Sequence, residues 1–256
     1  MLLPVTIDAS ELRARLDAGL AVMPTEIGDS LDATARDKLI QYLLLLGRWN
    51  QAYNLTAVRD PREQVARHLL DSLAVLPWVT QGPVLDLGTG AGLPGIPLAL
   101  ARPGLAFTLL DSNGKKARFV RQALLELGLE QVDVIQIRLE AYQPKRKFAT
   151  IVARALASLR ELYLSALGLA ADDGRLLALK GRLAKEELAA LIACQAADPV
   201  LAEAARAAEV TRAPGARLSE SRIYPLVVPG IDGERTLIEV PLGGSIHGYD
   251  KNHRHR

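Results

Sequence analysis

Val84-Leu85-Asp86-Leu87-Gly88-Thr89-Gly90-Ala91-Gly92-Leu93-Pro94-Gly95 is a short apolar run that breaks into a glycine-rich turn. The run reads as a buried strand, and Gly88, Gly90, Gly92 and Gly95 let the backbone take positive φ and approach a ligand where a Cβ would clash. Short apolar runs at 84–88, 107–111, 132–137, 148–153 and 175–180 are strand candidates, with amphipathic stretches between most of them. That alternation is the βαβ pattern of a parallel sheet. After an alanine-rich helical stretch through Ala208, two more candidates at 223–228 and 234–240 are joined by 229–233, a turn short enough to demand an antiparallel hairpin. The predicted fold is α/β and Rossmann-like, a mostly parallel sheet closed by an antiparallel terminal hairpin.

Before the glycine turn the pattern differs. Leu39, Tyr42, Leu43, Leu46 and Trp49 recur at helical spacing, and strand signals are scarce, so a helical layer precedes the sheet. The change falls near Gln81 and divides the chain into a helical region (1–80), a ligand-binding α/β domain (81–242) and a polar, glycine-containing tail (243–256) expected to be mobile.

Composition narrows the class. A chain of 256 residues with 49% hydrophobic and 23% charged residues has enough apolar mass for a sizeable core and is neither disordered nor fibrous. Its formal charge of +2 rules out bulk polycationic attraction to nucleic acid, so any such contact must use local patches. A single cysteine, Cys194, excludes an intramolecular disulfide and a multi-cysteine zinc site. It reads as a buried structural thiol on a helix. No apolar run suggests a membrane span, and Met1 to Asp8 lack a signal-peptide pattern, so the expected compartment is the cytoplasm. His253 and His255 in the tail do not complete a metal shell, and no metal is expected.

The turn sits where ligands bind in open α/β sheets, beyond the carboxyl ends of the strands. Gly90, Gly92 and Gly95 satisfy G-x-G-x-x-G, which by itself serves a nicotinamide or flavin dinucleotide as well as S-adenosylmethionine. A pyrophosphate needs free amides at the following helix N-terminus. Pro94 and Pro97 remove two of them, which weakens a phosphate cradle, whereas S-adenosylmethionine carries no phosphate. Asp111 ends the second strand, where a carboxylate accepts from the ribose hydroxyls of either ligand; the bland alternative is a cap on the next helix.

Several separated motifs resemble the RsmG (GidB) family of bacterial small-subunit ribosomal RNA methyltransferases. They are Arg48 to Thr56 (RWNQAYNLT), His68-Leu69-Leu70-Asp71-Ser72, the loop from Asp86 to Gly95, Leu109-Leu110-Asp111-Ser112, Arg138-Leu139-Glu140, Ala153-Arg154-Ala155 and Leu179-Lys180-Gly181. The resemblance covers nearly the whole chain, is thin before Leu39 and between Cys194 and Ser221, and departs at Arg235-Thr236, where the family often has histidine after the Gly-Glu-Arg turn. It implies a class I methyltransferase fold and S-adenosylmethionine-dependent methylation of guanine N7 in 16S ribosomal RNA, giving 7-methylguanosine. It further implies that Gly88, Leu93, Leu139, Glu140 and Arg154 bind the cofactor, alongside Asp86, Gly90, Gly92 and Asp111 from the loop and strand end. Asn54 and His68 would stand beside the substrate mouth, against the alternatives of a helix cap and a packed histidine.

The chemistry expected is one of positioning. Carbon methylation of a pyrimidine needs a cysteine nucleophile, and Cys194 has no motif around it. Exocyclic amine methylation usually uses an Asp/Asn-Pro-Pro-aromatic tetrapeptide after the fourth strand, where this chain has Ala153-Arg154-Ala155-Leu156. Guanine N7 offers a lone pair and loses no proton, so no catalytic residue is assigned; Arg154 and Lys180 would orient substrate or cofactor carboxylate. Lys115-Lys116-Ala117-Arg118, Lys145-Arg146-Lys147 and Lys251 to Arg256 are the local clusters able to neutralise phosphates. The family's substrate is an assembled or assembling small ribosomal particle, the chain is expected to be a monomer, and the target base lies in an exposed RNA loop. Competing readings are an NAD(P)-dependent oxidoreductase and a non-catalytic nucleotide-sensing or RNA-binding module.

Overall fold

The structure, a computed structural model, describes residues 8–154, 157–183, 185–197 and 221–242. Ala155 and Leu156, the alanine-rich stretch beyond 197, and the tail with His253, His255 and the Lys251 to Arg256 cluster lie outside the described residues.

The helical layer consists of α1 (Ala9–Leu20), α2 (Thr25–Asp29), α3 (Ala33–Tyr53), α4 (Pro61–Gln64), a π-helical segment (Val65–Leu70), α5 (Asp71–Leu73) and a 3-10 turn (Leu76–Trp78). Asp8, Asp32 and Asp60 each cap a helix start by accepting a backbone N–H, an arrangement that also suits the positive end of the helix dipole. There follow β1 (Val84–Leu87), α6 (Gly95–Ala101), β2 (Phe107–Asp111), α7 (Gly114–Leu127), β3 (Val132–Gln136), a 3-10 turn (Leu139–Ala141) and β4 (Phe148–Arg154). The remainder is α8 (Leu159–Leu167), β5 (Ala170–Lys180), α9 (Lys185–Ala197), β6 (Arg222–Leu226) and β7 (Arg235–Pro241).

The seven strands form one sheet in the order β3-β2-β1-β4-β5-β7-β6. Strands β1 to β5 are parallel, while β7 runs antiparallel to both β5 and β6, so the hairpin closes the edge as expected. Strand bounds shift by a residue or two from the sequence reading, with one larger difference: β5 begins at Ala170 rather than 175. Phe148 pairs with Ala170 and Thr150 with Arg175, so a bulge holds Ala171, Asp172, Asp173 and Gly174 opposite a single residue of β4. The polarity of that bulge makes the strand look like a loop in the sequence.

Side chains alternate between two cores. Val84, Val152, Leu177 and Leu237 face the N-terminal helices, α6 and α7. Leu85, Ile151, Leu176 and Ile238 face α8 and α9, where half-buried Cys194 also packs. Cys194 is thus less enclosed than its helical context suggested. Helix α3 is fixed to α7 by Trp49 and Phe119, edge to face at 5.7 Å between centroids, and by Tyr42 against Phe119. The helical layer and the sheet therefore share one continuous core, and α3 lies directly behind the glycine turn.

Candidate active site

The turn after β1 closes on itself. Gly88, Gly90 and Gly92 all have positive φ (66°, 61° and 92°), the conformations for which these positions need glycine. Gly95 is required for a different reason: a Cβ there would stand 2.2 Å from Leu109 Cδ2 and 2.7 Å from Asp86 Oδ2. The amides of Gly92 and Leu93 donate to the Thr89 carbonyl, Ile96 donates to Gly92 and Leu98 to Pro94. The Gly95 amide donates to Asp86 Oδ2 at 2.8 Å. With Pro94 and Pro97 lacking N–H groups, the first turn of α6 keeps no free amide for an anion. The start of α6 therefore offers a dinucleotide's pyrophosphate no amide.

Two carboxylates flank this turn. Asp86 is fully buried on β1; its Oδ2 accepts from Thr89 Oγ1 at 2.6 Å and from Gly95, while Oδ1 has no hydrogen-bond partner. Burial raises its pKa to about 6 despite those two bonds. Asp111, at the end of β2, accepts from the Gly90 amide (2.8 Å) and the Asn113 amide (2.7 Å). The cap of α7 is Asn113, which accepts from Lys115 and Lys116, so Asp111 is not the helix cap. A carboxylate offers about four acceptor positions, so Asp111 keeps two for a ligand. Buried Tyr42 donates to the Ala91 carbonyl at 2.7 Å and pins the turn to α3; burial pushes its phenol well up from the usual value. Leu93 is buried beneath the turn, and Leu139 and Glu140 occupy the 3-10 turn after β3, beside β2's carboxyl end.

Across the sheet edge, Arg154 ends β4. Its Nη1 donates to the Arg67 carbonyl and to Asp71 Oδ2, each at 3.0 Å. Arg235 Nε binds the other oxygen of Asp71, also at 3.0 Å. His68 lies one helical turn before Asp71, buried on the π-helical segment, with Nε2 3.0 Å from Thr56 Oγ1. Burial first, and the Arg154 charge second, lower its pKa to about 4, so the ring is neutral at pH 7. Thr56 is itself placed by its amide, which donates to Asn50 Oδ1.

The structure gathers the glycine turn, Asp86, Asp111, Arg154 and His68 around the carboxyl ends of β1, β2 and β4. Asn54 takes the left-handed C-cap position of α3 (φ 51°, ψ 54°), with its side chain accepting from Arg59. Lys180 adjoins Leu179, the register partner of Arg154, but its ammonium is occupied by Glu187 (2.7 Å) and the Ala157 carbonyl. Sequence reasoning set Thr56 and Asp71 within the Asn-Leu-Thr and His-x-x-Asp motifs but gave neither a partner, and gave Arg235 no site role, because these pairings are set by tertiary contacts. Among the described residues no cluster of metal-binding side chains occurs, and no helix is long and apolar enough to cross a membrane.

Comparison with known proteins adds an independent line. The family described as "GidB: rRNA small subunit methyltransferase G" matches residues 35–209. A protein named Ribosomal RNA small subunit methyltransferase G from Alkalilimnicola ehrlichii is 59% identical over 165 residues, 64% of this chain and 75% of its own length. A protein of the same name from Marinobacter nauticus is 46% identical, covering 88% of this chain and 93% of its own. Another, from Xanthomonas euvesicatoria pv. vesicatoria, is 45% identical over 92% of this chain and 97% of its own.

Proposed function

The chain belongs to the GidB family, rRNA small subunit methyltransferase G, and we propose on that ground that it transfers a methyl group from S-adenosylmethionine to guanine N7 of small-subunit ribosomal RNA. The observation that carries the cofactor reading is the glycine turn, where the amides of Thr89, Gly90, Gly92, Leu93, Gly95 and Ile96 are spent on protein acceptors while further acceptors and a cation remain around it. The residues fit such a group: Asp111 has acceptor positions for ribose hydroxyls, Asp86 Oδ1 is a buried acceptor without a partner, and Arg154 retains unengaged donors for a carboxylate. Gly88, Gly90, Gly92 and Leu93 would form the floor, and Leu139 and Glu140 the adenine side. S-adenosylmethionine, when bound, supplies a methyl group activated by its sulfonium.

What this chain's residues contribute is alignment. Guanine N7 presents a lone pair without losing a proton, so neither a nucleophile nor a general base is required of the protein. Alignment alone is worth effective molarities of ~10⁵ to 10⁸ M, against ~10² to 10⁴ for a general base. Neutral His68 brings no further positive charge to the mouth and is not an acid at pH 7.

The RNA would be met by the cations of α7. Lys116 Nζ lies 3.9 Å from where a Cβ on Gly90 would stand, which puts an ammonium at the rim of the turn, and exposed Lys115 and Arg118 lie on the same helix. The partner proposed is an assembled or assembling small ribosomal particle, engaged by a monomer in the cytoplasm. The test is methyl transfer from labelled cofactor to small ribosomal particles, with mass mapping of the modified nucleoside. The expected product is 7-methylguanosine, at a rate that falls with salt. Tight dinucleotide uptake with none of the methyl donor would overturn the reading.

A further inference from the structure

Asp71 is the meeting point of three chain segments that are distant in sequence. Its two oxygens are shared between Arg154 at the end of β4 and Arg235 at the start of β7, each at 3.0 Å. The carboxylate is largely enclosed, its side chain 11% exposed, with Arg154 at 18% and Arg235 at 26%. Two guanidiniums thus share one carboxylate, with buried Asp86 also within electrostatic reach of Arg154, and Asp71 engages one nitrogen of each, leaving a surplus of donors.

The donor inventory shows where the surplus goes. Arg154 has five N–H donors in a fixed fork. Nη1 is bound to Asp71 and to the Arg67 carbonyl, and among the described residues Nε and Nη2 have no hydrogen-bond partner. Planar forks of this kind recognise carboxylates through two parallel bonds, but only when their plane is fixed. Asp71 fixes one corner of the fork. Arg235, whose Nη1 is anchored on the Glu234 carbonyl, fixes Asp71 from the other side.

We propose that Asp71 and Arg235 are positioning residues for the methyl-donor site: they set the plane of the Arg154 guanidinium so that its Nε and Nη2 edge receives the carboxylate of the ligand. The inference rests on the function proposed for that site. It gives the terminal hairpin a share in ligand binding, although β7 lies two strands from β4.

Calorimetric titration with S-adenosylhomocysteine, beside thermal unfolding, tests it on wild type, D71N, R235A, R235K, R154A and the D71N/R154A double variant. D71N should weaken uptake about tenfold. R235A should weaken it in the same direction, and R235K should recover part of the loss because an ammonium still holds Asp71. In the R154A background, D71N should cost nothing further, because Asp71 acts through Arg154. Wild-type affinity in a folded D71N, or losses that add in the double variant, would overturn the inference. Should D71N fail to fold, R235A decides, since wild-type affinity there overturns it equally. Wild type that takes up no ligand at all would instead bring down the proposed function, and this inference with it.

Discussion

Replacing His68 by glutamine separates the cost of a buried imidazole from every other titration in the molecule. Burial, reinforced by Arg154, lowers the folded-state pKa of His68 from 6.5 to about 4. Below pH 6.5 the unfolded chain takes up a proton that the folded chain refuses, so stability falls as the pH drops and the loss is complete below about pH 4. At about 1.4 kcal/mol per pH unit, the full loss is about 3 kcal/mol, of which about 2 kcal/mol arises between pH 7 and pH 5. Glutamine keeps a polar group within reach of Thr56 Oγ1 but takes up no proton. Urea unfolding of both proteins at pH 7 and pH 5 gives two stability gaps, and the other titrating groups cancel in their difference. Acidification should shift the gap by about 2 kcal/mol in favour of the glutamine variant. A gap unchanged between the two pH values would show that the imidazole charges freely in the folded protein and that burial does not hold it neutral.

Three further outcomes are expected. Asp111→Ala should weaken cofactor uptake ten- to a hundredfold, about 1.5 to 3 kcal/mol, because it removes acceptors for the ribose and releases the Gly90 amide; titration of the methyl donor measures it. Gly95→Ala should destabilise the fold by about 1 to 3 kcal/mol in denaturant unfolding, because its new Cβ meets Leu109 and Asp86 at less than contact distance. Asp86→Asn should abolish a pH dependence of the opposite sign to that of His68. Between pH 3.8 and about 6 folded Asp86 holds a proton that the unfolded chain lacks, so wild-type stability declines by about 3 kcal/mol as the pH rises through that window, and the asparagine variant should not show this decline.

Much of this architecture was legible in the residues. The period-2 and apolar-run signals located all seven strands, because each must bury one or both faces, and the hairpin followed from the five residues separating its two apolar runs. The glycine turn and Asp111 were legible because backbone conformation and strand-end chemistry are local. The polar bulge that opens β5 was not, since Asp172, Asp173 and Gly174 look like a loop until β4 is seen beside them. The π-helical winding at Val65–Leu70 leaves no periodic trace over six residues. The Asp71 clasp joins residues 83 and 164 positions apart, and no local pattern encodes a pairing across such distances. Lys180 could be placed at a strand end from its apolar run, but Glu187, which occupies the ammonium seven residues on, could not be foreseen.

The last hydrogen bond of the π-helical segment runs from the Asp71 amide back five residues to Ala66, so the backbone here holds one residue beyond what an α-helix would use. Deleting one residue from this stretch would let it close to ordinary α-helical winding while the helices on either side keep their facing, so the Asp71 carboxylate would stay turned toward both guanidiniums. An insertion would add a second surplus residue and turn Asp71 away from them by about 100°. The winding has a letter to spare and no room for another.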